Sequence, residues 1–560
     1  MDELIEKYAL QNATKFDGKA QIGAVIGACI REKPELKDKV KELSAKARQI
    51  IVKVNSLSVE QQIARLEKLA PELLEKKEKK KRDLPELPNA KPGHVVTRIP
   101  PEPSKYNHIG HALSFLLNYL YAKKYDGKCV LRFEDTNPSA AKQEYVDAMK
   151  SDVLEYLDIK PDKMVFVSDD MKKFYALAEQ LIKKDEAFVC FCDRDKMQRL
   201  REKGEPCDCR AFSKEKNLEE WKSMLDRKYE EGQAVLRLKG DMQSKNYVMR
   251  DPVIFRIISD EHYRQKDKYV VWPMYDFENA IEEELCGITH ILRSSEFGQM
   301  RVELQNHIKD LFGFKKQTVV QYGRFNIVGA VTQGREIREL IEKKKVFGWD
   351  DPSLVTLRAL KRRGIVKEMF YELAKEVGLS PTPTNLDWTR ISSINRRILD
   401  PSVNRYFFIE DPVKIKIRGA PRQDLKLKLH PDHPDRGLRD FKTHEDFYIS
   451  KKDFEELKNK KLYRLMDALN FIKTSDGFVF DSLDYQKFKG EGEKIMHWLP
   501  IDKDSVKTEI LMPDHKIITG LGESGLKKLK ENEIIQAERF GFIRLDEKTK
   551  ATLKFWFTHN

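Results

Sequence analysis

The sequence has no long apolar run and few cysteines, and each deficit excludes a class of protein. No stretch is long and apolar enough to span a bilayer, and the chain opens with the charged segment MDELIEKYAL, so we expect neither a membrane span nor a signal peptide. Seven cysteines, an odd number in 560 residues, favour reduced thiols or a metal site over a disulfide framework. We therefore expect a cytoplasmic protein without membrane contact.

The glycine-rich turns of the two common nucleotide-binding motifs are missing from the first strand-and-helix segment. Residues 94–138 have the pattern of a strand, a proline-rich loop, a helix capped by Asn107 and a second strand. Ligands of such crossover units bind at the carboxyl ends of the strands. At that place the chain carries His108-Ile109-Gly110-His111.

This tetrapeptide has two interpretations. His108 and His111 share one face of the first helical turn, where unpaired amides and the helix dipole favour an anion, and Gly110 leaves room for a nucleobase or ribose. These features predict a phosphate site for a nucleoside triphosphate. Alternatively, the histidines are surface residues or half of a metal site, and the tetrapeptide alone favours this second interpretation.

Length and charge indicate several domains and a polyanionic partner or a generally basic surface. A chain of 560 residues indicates roughly four domains. Its residues are 40% hydrophobic and 35% charged, which is enough to build cores beneath a charged surface, and the formal net charge is +13.

Longer blocks identify a family. The segment PPEPSKYNHIGHA resembles the HIGH signature of class I aminoacyl-tRNA synthetases, in the form of the glutamyl and glutaminyl enzymes. Later blocks follow in the order found in archaeal-type glutamyl-tRNA synthetases: LRFEDTNP, WPMYDFENAIEEELCGITHILRSSEF, GWDDPSLVTLRALKRRGI and LHPDHPDRGLR. The resemblance extends over the whole chain.

The resemblance implies a multidomain α/β protein with an added all-β part. Residues 1–90 are expected to form a helical appendage, with the basic run at 75–82 as an exposed helix end or linker. A Rossmann-like catalytic domain is expected at 91–189 and 266–325, with the segment 269–277 returning to its sheet. An insertion at 190–265 would bind the acceptor end of tRNA, and a helical connecting domain would occupy 326–395. Anticodon-binding β-barrels are expected at 396–560.

Two patterns in the β-rich part carry their own predictions. VKIKIRG and LKLKLH alternate lysine with apolar residues, which predicts a basic face over a core. The segment His430-Pro431-Asp432-His433 could suggest a metal, but a proline-rigid turn is the favoured interpretation.

The resemblance also implies an amino-acid pocket formed by Arg98, Glu102, Glu134, Tyr275 and Arg293. Glu134 would pair with the substrate ammonium and Tyr275 would orient its side chain. Arg98 and Arg293 would face carboxylates, since guanidinium forks match carboxylates.

Arg293 carries the choice of substrate. It ends an apolar strand, and a buried arginine is costly unless it meets an anion. Glutaminyl members commonly have cysteine at this position, so the guanidinium favours glutamate over the neutral amide of glutamine. The alternative is that Arg293 pairs with an internal acid such as Glu296.

The second signature of the family is altered. Class I enzymes of this group have a loop resembling MSKRK, whose lysine stabilises the departing pyrophosphate. The aligned residues here are Thr332-Gln333-Gly334-Arg335-Glu336, so Gly334 replaces that lysine. Either Arg335 or Arg338 substitutes for it, or activation is weak and the chain is a paralogue with a shifted role. We assign ATP binding and catalysis to Arg335 together with His108 and His111, and ATP binding also to Gly110.

Four cysteines in the insertion predict a structural zinc site. Cys190, Cys192, Cys207 and Cys209 form two CxC pairs, and four thiolates can close a tetrahedral site. The alternative is a group of reduced thiols near the surface.

The function implied by the resemblance is that of a glutamate–tRNA ligase. It would use ATP with Mg²⁺ to form glutamyl-adenylate from L-glutamate and transfer the acyl group to tRNA(Glu). The residues leave open whether tRNA(Gln) is also charged, and nothing in them determines the oligomeric state, although we expect a monomer. A glutaminyl-tRNA synthetase, a catalytically impaired tRNA-binding paralogue and a metal-dependent nucleotidyltransferase are the alternatives.

Overall fold

The computed structural model describes residues 1–15, 18–73 and 84–560, and its contacts divide the chain into two units, residues 1–83 and 84–560. The basic run at 75–82 lies outside the described residues. Across the described ranges, no helix combines the length and apolarity that a membrane crossing needs.

The first unit is helical where it is described. Its helices α1 to α4 are Asp2–Lys15, Ile22–Glu32, Val40–Asn55 and Val59–Leu69. Ser58 and Gln61 form a reciprocal capping box at the start of α4. Apolar residues at helical spacing, such as Ile5, Leu43 and Leu66, bury into one core.

The second unit begins with a three-stranded parallel sheet. Strands β1, β2 and β3 are Val96–Ile99, Lys128–Phe133 and Lys163–Phe166, in that spatial order. Helix α5, Ile109–Lys124, joins β1 to β2 as the sequence predicts. The cap is His108 and not Asn107, because His108 Nδ1 accepts from Gly110 N while Asn107 donates to Asp152.

The next helices lead into an antiparallel sheet. Helices α6 to α9 are Gln143–Lys150, Met171–Lys183, Arg194–Lys203 and Lys214–Leu225. Strands β4 to β7 are Ala187–Cys190, Val235–Leu238, Val253–Ile257 and Val271–Pro273, again in spatial order. The prediction that residues 269–277 return to the parallel sheet is wrong for β7, which pairs antiparallel with β6. This pairing buries Val271 and Trp272 in the core of the antiparallel sheet.

A further pair of parallel strands lies beside β1. Helices α10 and α11 are Tyr275–Leu285 and Gly298–Phe312, and strands β8 and β9 are His290–Ser294 and Thr318–Tyr322. Thr289 N donates to Val96 O at 3.0 Å, which places the start of β8 next to β1. The strands β1 and β8 thereby bring their polar residues to a common cleft.

Helices then dominate up to residue 399. Strands β10 and β11, Phe325–Ile327 and Thr384–Leu386, pair in parallel. Helices α12 to α15 are Gly334–Glu342, Leu357–Arg363, Lys367–Val377 and Trp388–Leu399.

The remaining chain is β-rich, as its turn-rich strand pattern predicts. Strands β12 to β19 are Arg405–Tyr406, Phe408–Glu410, Pro412–Arg418, Gln423–Lys428, Leu438–Thr443, Asp446–Ser450, Leu462–Leu465 and Asn470–Thr474. Strands β20 to β27 are Gly477–Ser482, Gly492–Met496, Leu499–Pro500, Val506–Leu511, Ile517–Gly522, Ile534–Ala537, Gly541–Lys548 and Thr552–His559. Two short helices, α16 and α17, are Lys451–Glu455 and Tyr485–Glu491.

These strands form two seven-stranded sheets and the hairpin β15-β16. One sheet has the order β12-β25-β26-β27-β23-β24-β13, and the other β21-β18-β19-β20-β14-β17-β22. On β14, Lys414 and Lys416 are exposed while Ile415 and Ile417 are buried, so the predicted alternation is confirmed. His430 forms a turn, since its Nε2 lies 2.8 Å from Asp400 O and its Nδ1 accepts from Asp432 N.

Helix α13 links the start of α5 to the end of the chain. His108 and Thr356 form an isolated antiparallel bridge, and Ile109 N donates to Val355 O at 3.1 Å. At the other end of α13, Arg363 is buried and donates to Phe557 O and Thr558 O at 3.3 and 3.0 Å. One short helix therefore contacts both the loop of the histidine pair and strand β27.

Candidate active site

A cleft of about 780 Å³ opens where β1, β2, β8 and α5 meet. Its lining includes all the predicted site residues of the amino-acid pocket and of the tetrapeptide: Arg98, Glu102, His108, Gly110, His111, Glu134, Tyr275 and Arg293. Residues separated by nearly 200 positions in the chain thus share one cavity.

The two imidazoles at the start of α5 are neutral and have a defined tautomer. His108 N donates to His111 Nδ1 at 3.1 Å, and Gly110 N donates to His108 Nδ1 at 3.0 Å. Burial lowers the pKa of His108 to about 3, and burial followed by the charge of His108 keeps the pKa of His111 well below its usual value. Because each Nδ1 accepts a proton, each Nε2 carries the hydrogen and is a donor.

Gly110 keeps the histidine pair in place. A Cβ at this position would lie 2.9 Å from His108 Cε1 and 3.1 Å from His108 Nδ1. Any larger residue would therefore displace the imidazole, so glycine is required by the packing within the turn as well as by access to a ligand.

Glu134 is held by two partners at the end of β2. Its Oε1 accepts from Arg132 Nη2 and from Asn279 Nδ2, both at 2.8 Å. Within the described residues Oε2 has no hydrogen-bond partner, so it can accept from a ligand cation.

Arg98 is paired with a carboxylate of the protein. Its Nε donates to Glu283 Oε1 at 2.9 Å, and its Nη1 lies 3.4 Å from Leu292 O. Burial would raise the pKa of Glu283, but Arg132 and Arg98 lower it to about 2. Arg98 lines the cleft with two of its five N–H donors used by the protein.

Arg293, unlike Arg98, has no carboxylate partner among the described residues. It is only 3% exposed, its Nη1 donates to Gln305 Oε1 at 3.0 Å, and its Nε and Nη2 have no hydrogen-bond partner in the part of the chain that the structure describes. The alternative partner Glu296 instead accepts from Arg324 at 2.7 Å. A buried cation with two unpaired donors in a cleft is a site for an anion.

A small relay fixes the position of Arg293. Asp276 Oδ1 accepts from Gln305 Nε2 at 3.0 Å, and Gln305 Oε1 in turn accepts from Arg293. Tyr275 stands beside this relay, stacked on Phe297 at 5.6 Å, and burial raises the pKa of its hydroxyl, which stays protonated at neutral pH.

The altered signature segment is divided between the cleft and the surface. Thr332 and Gln333 line the cleft, whereas Gly334 begins α12. Arg335 does not line the cleft: its side chain is 88% exposed and pairs with Glu339 at 3.3 Å on the next turn. The structure therefore brings together every predicted site residue of the cleft except Arg335.

The four cysteines converge, away from the cleft. Their sulfurs all lie within 4.8 Å of one another, and Cys190 Sγ is 3.8 Å from Cys207 Sγ. A tetrahedral Zn–S site with bonds of about 2.3 Å has sulfur separations of about 3.8 Å, so the geometry fits zinc. Arg237 Nη1 donates to Cys190 and Cys207. The hydrogen bond between the two sulfurs, ahead of the charge of Arg237, lowers the pKa of Cys207 to about 5, whereas that hydrogen bond and burial raise the pKa of Cys190.

Three site residues escaped prediction. Arg132 and Glu283 lie within the family blocks but were assigned no role, Gln305 lies in none of the blocks, and each of the three holds a predicted residue. An arginine between two apolar residues of strand β2 is the signal that could have indicated Arg132. No local pattern indicates the partners of the other two, because Glu283 lies 185 positions from Arg98 and Gln305 lies on a different element from Arg293.

Comparison with protein families defines the class. A family model described as "tRNA synthetases class I (E and Q), catalytic domain" matches residues 94–401, and two described as "tRNA synthetases class I (E and Q), anti-codon binding domain" match residues 403–486 and 479–546. The chain belongs to the class I tRNA synthetases of the E and Q group.

Two archaeal proteins are similar to this chain over nearly its full length. Glutamate–tRNA ligase of Pyrococcus furiosus is 40% identical over 563 residues, covering 98% of this chain and 97% of that protein. Glutamate–tRNA ligase of Methanocaldococcus jannaschii is 39% identical, with 100% of both chains covered. A crystal structure of a glutamate tRNA ligase from Elizabethkingia meningosepticum matches 56% of this chain and 71% of its own, at 17% identity and a TM-score of 0.38.

Proposed function

We propose that this protein is a glutamate–tRNA ligase. The observation that carries the proposal is the buried guanidinium of Arg293, whose Nε and Nη2 have no partner in the cleft that also holds the histidine pair. A dicarboxylic amino acid supplies the missing anion. The full-length relatives named glutamate–tRNA ligase support the same substrate.

The amino-acid pocket distinguishes glutamate from glutamine by charge. The side-chain carboxylate of glutamate accepts from Arg293, whereas the neutral amide would leave a buried cation without an anion. Glu134 Oε2 accepts from the substrate ammonium, and Tyr275 orients the side chain. Glu102 lies in the same cleft, and Arg98 contributes through the one nitrogen, Nη2, that the protein does not use.

The nucleotide site is formed by neutral donors. ATP enters with Mg²⁺ as substrate, and the Nε2–H groups of His108 and His111 donate to its phosphate oxygens. Because these donors are neutral and fixed by backbone amides, they need little reorganisation when charge develops.

The reaction has two steps. A carboxylate oxygen of glutamate attacks the α-phosphorus of ATP, the α–β phosphoanhydride bond breaks, and pyrophosphate leaves with the bonding electrons. The terminal ribose hydroxyl of tRNA(Glu) then attacks the acyl carbon, releasing AMP and a proton. The enzyme forms no covalent intermediate, so positioning and electrostatics supply the rate.

The remaining domains are assigned to tRNA. We assign residues 190–265 with strand β7 to the acceptor end, 326–395 to the connection, 396–560 to the anticodon and residues 1–90 to an appendage. The exposed lysines of β14 supply positive charge for RNA phosphates. We further propose that the protein is a cytoplasmic monomer.

We also propose that Zn²⁺ binds Cys190, Cys192, Cys207 and Cys209. Four protein ligands leave no open position, so the ion would only pin the loop that joins the two CxC pairs.

The test is aminoacylation of purified tRNA(Glu) and tRNA(Gln), each with glutamate and with glutamine. Charging of tRNA(Glu) with glutamate alone supports the proposal, and added charging of tRNA(Gln) with glutamate extends its range. Charging with glutamine would identify a glutaminyl enzyme. The exposed position of Arg335 favours one competing function, a tRNA-binding paralogue that does not activate amino acids, and the absence of tRNA-dependent ATP–pyrophosphate exchange would support it.

A further inference from the structure

In the altered signature segment Gly334 replaces the lysine that would stabilise the departing pyrophosphate. The loop before α5 contains another lysine, Lys105, that lines the cleft. Lys105 lies two residues after Pro103 and three before His108, and its side chain lines the cleft together with His108, His111 and Gln333. Lys105 also lines a second, outer groove, which contains Gly334 and Arg335.

Lys105 occupies the space that a side chain at position 334 would need. A Cβ built on Gly334 would lie 3.0 Å from Lys105 Cδ, 3.3 Å from Lys105 Cβ and 3.7 Å from Lys105 Cγ. Gly334 has a helical backbone without positive φ, so glycine is not needed there for conformational reasons. What glycine provides at position 334 is room for the aliphatic part of Lys105.

The ammonium of Lys105 is free to meet a ligand. Within the described residues it makes no hydrogen bond and no ion pair, and Glu102 is a nearby carboxylate that feels its charge. The same charge contributes to the low pKa values of His108 and His111, behind burial and, for His111, behind His108. Lys105 is therefore a cation of the cleft lining for which no carboxylate partner is formed among the described residues, whereas Arg324 and Arg335 are paired with Glu296 and Glu339.

We propose that Lys105 is a catalytic residue that donates to the departing pyrophosphate, in place of the lysine that Gly334 has replaced. The inference rests on the proposed function, since it concerns the first step of that reaction. As the α–β phosphoanhydride bond breaks, the electron pair stays on the β-phosphate oxygen, and the Lys105 ammonium donates a hydrogen bond to the leaving group. No proton needs to be transferred, because pyrophosphate leaves as its anion.

The experiment compares Lys105→Ala with the wild type in tRNA(Glu)-dependent ATP–pyrophosphate exchange. Loss of one donor to a developing charge lowers the rate by about 100- to 1,000-fold. The loss is expected in kcat more than in the KM for glutamate, and Lys105→Arg should recover part of the rate. Transfer of the acyl group from synthetic glutamyl-adenylate to tRNA should be unchanged, because pyrophosphate takes no part in that step. A variant that is merely misfolded would lose both steps.

Two further variants test whether the position of the lysine matters. Lys142→Ala is the matched control, since Lys142 is an exposed lysine of the outer groove that does not line the cleft. In the double variant Lys105→Gly/Gly334→Lys, the space freed by one substitution accepts the other side chain, and activity should recover relative to Lys105→Gly.

The outcomes are distinct. If the wild type shows exchange and Lys105→Ala matches it within a factor of three, the role of Lys105 is refuted while the proposed function stands. A greater loss for Arg335→Ala than for Lys105→Ala would assign the role to the arginine and also refute it. A wild type without exchange would overturn the proposed function and this inference together.

Discussion

Replacement of Arg293 by methionine should affect activity and stability in opposite directions. Methionine retains the length of the side chain and removes the guanidinium. In the ligand-free protein the Nε and Nη2 of Arg293 are buried and unpaired. Each unsatisfied buried donor costs about 1–3 kcal/mol. The substitution removes both donors, although it leaves Gln305 Oε1 without its partner.

The magnitudes follow from the pairing of the buried charges. We expect the free energy of unfolding of Arg293→Met to equal or exceed that of the wild type, because a buried charge without its partner is exchanged for an apolar side chain. With glutamate bound, removal of the guanidinium leaves the substrate carboxylate buried and unpaired, which costs about 3–5 kcal/mol. That energy corresponds to a decrease of about 10²- to 10³-fold or more in kcat/KM for glutamate.

The assay is steady-state aminoacylation of tRNA(Glu), together with urea unfolding monitored by circular dichroism. Arg264→Met is the matched control, because Arg264 pairs with Asp169 at a half-exposed position that does not line the cleft. The preference for glutamate over glutamine should also decrease in Arg293→Met. A variant that keeps its kcat/KM within threefold, or that keeps the preference, would refute the assigned role of Arg293.

Three other perturbations test the site. His108→Asn retains an oxygen to cap α5 but removes the Nε2 donor, so the rate of ATP–pyrophosphate exchange should fall about 100-fold. The pKa of His108 is lower in the folded than in the unfolded protein, so the wild type loses up to about 1.4 kcal/mol of unfolding free energy per pH unit as pH falls from about 6.5 towards 3. The variant lacks this imidazole, so its unfolding free energy should decrease less over the same pH range. Gly110→Ala should reduce activity by displacing the His108 imidazole even though alanine favours the helix by about 1 kcal/mol, and equal activity measured by pyrophosphate exchange would contradict the close approach. Cys207→Ser should abolish zinc bound at one equivalent, as measured by metal analysis, and lower the midpoint of thermal unfolding, whereas Cys129→Ser, a buried cysteine on β2, should retain the metal.

The sequence predicts the elements of this protein better than the partners of its charged side chains. Apolar periodicity and the order of motifs are local properties, and they anticipate α5, β1, β2 and the alternating strand β14. The strand β7 departs from its prediction because a short apolar run fits either sheet, and only long-range pairing with β6 selects between them.

The site divides in the same way. Motifs place His108, His111, Glu134 and Arg293 in one cleft because each lies near the end of a predicted element. They do not distinguish Arg98, which the protein pairs with Glu283, from Arg293, whose donors are left for a ligand. That difference depends on which carboxylate or amide from α10 or α11 reaches each guanidinium. Such contacts are set by packing between helices and strands, which has no local signal.

Helix α13 connects the last strand of the chain to the cleft. Burial lowers the pKa of Arg363 to about 9, and no carboxylate among the described residues pairs with its charge. The side chain stacks on Trp388 at 4.0 Å and donates hydrogen bonds to two carbonyl oxygens of β27. Separation of β27 from α13 would leave the buried guanidinium of Arg363 without these two acceptors, so we expect the strand and the helix to stay in contact. Since the residues just before α13 are bonded to the backbone at His108 and Ile109, we expect a displacement of the sheet that contains β27 to be transmitted to the backbone of the cleft.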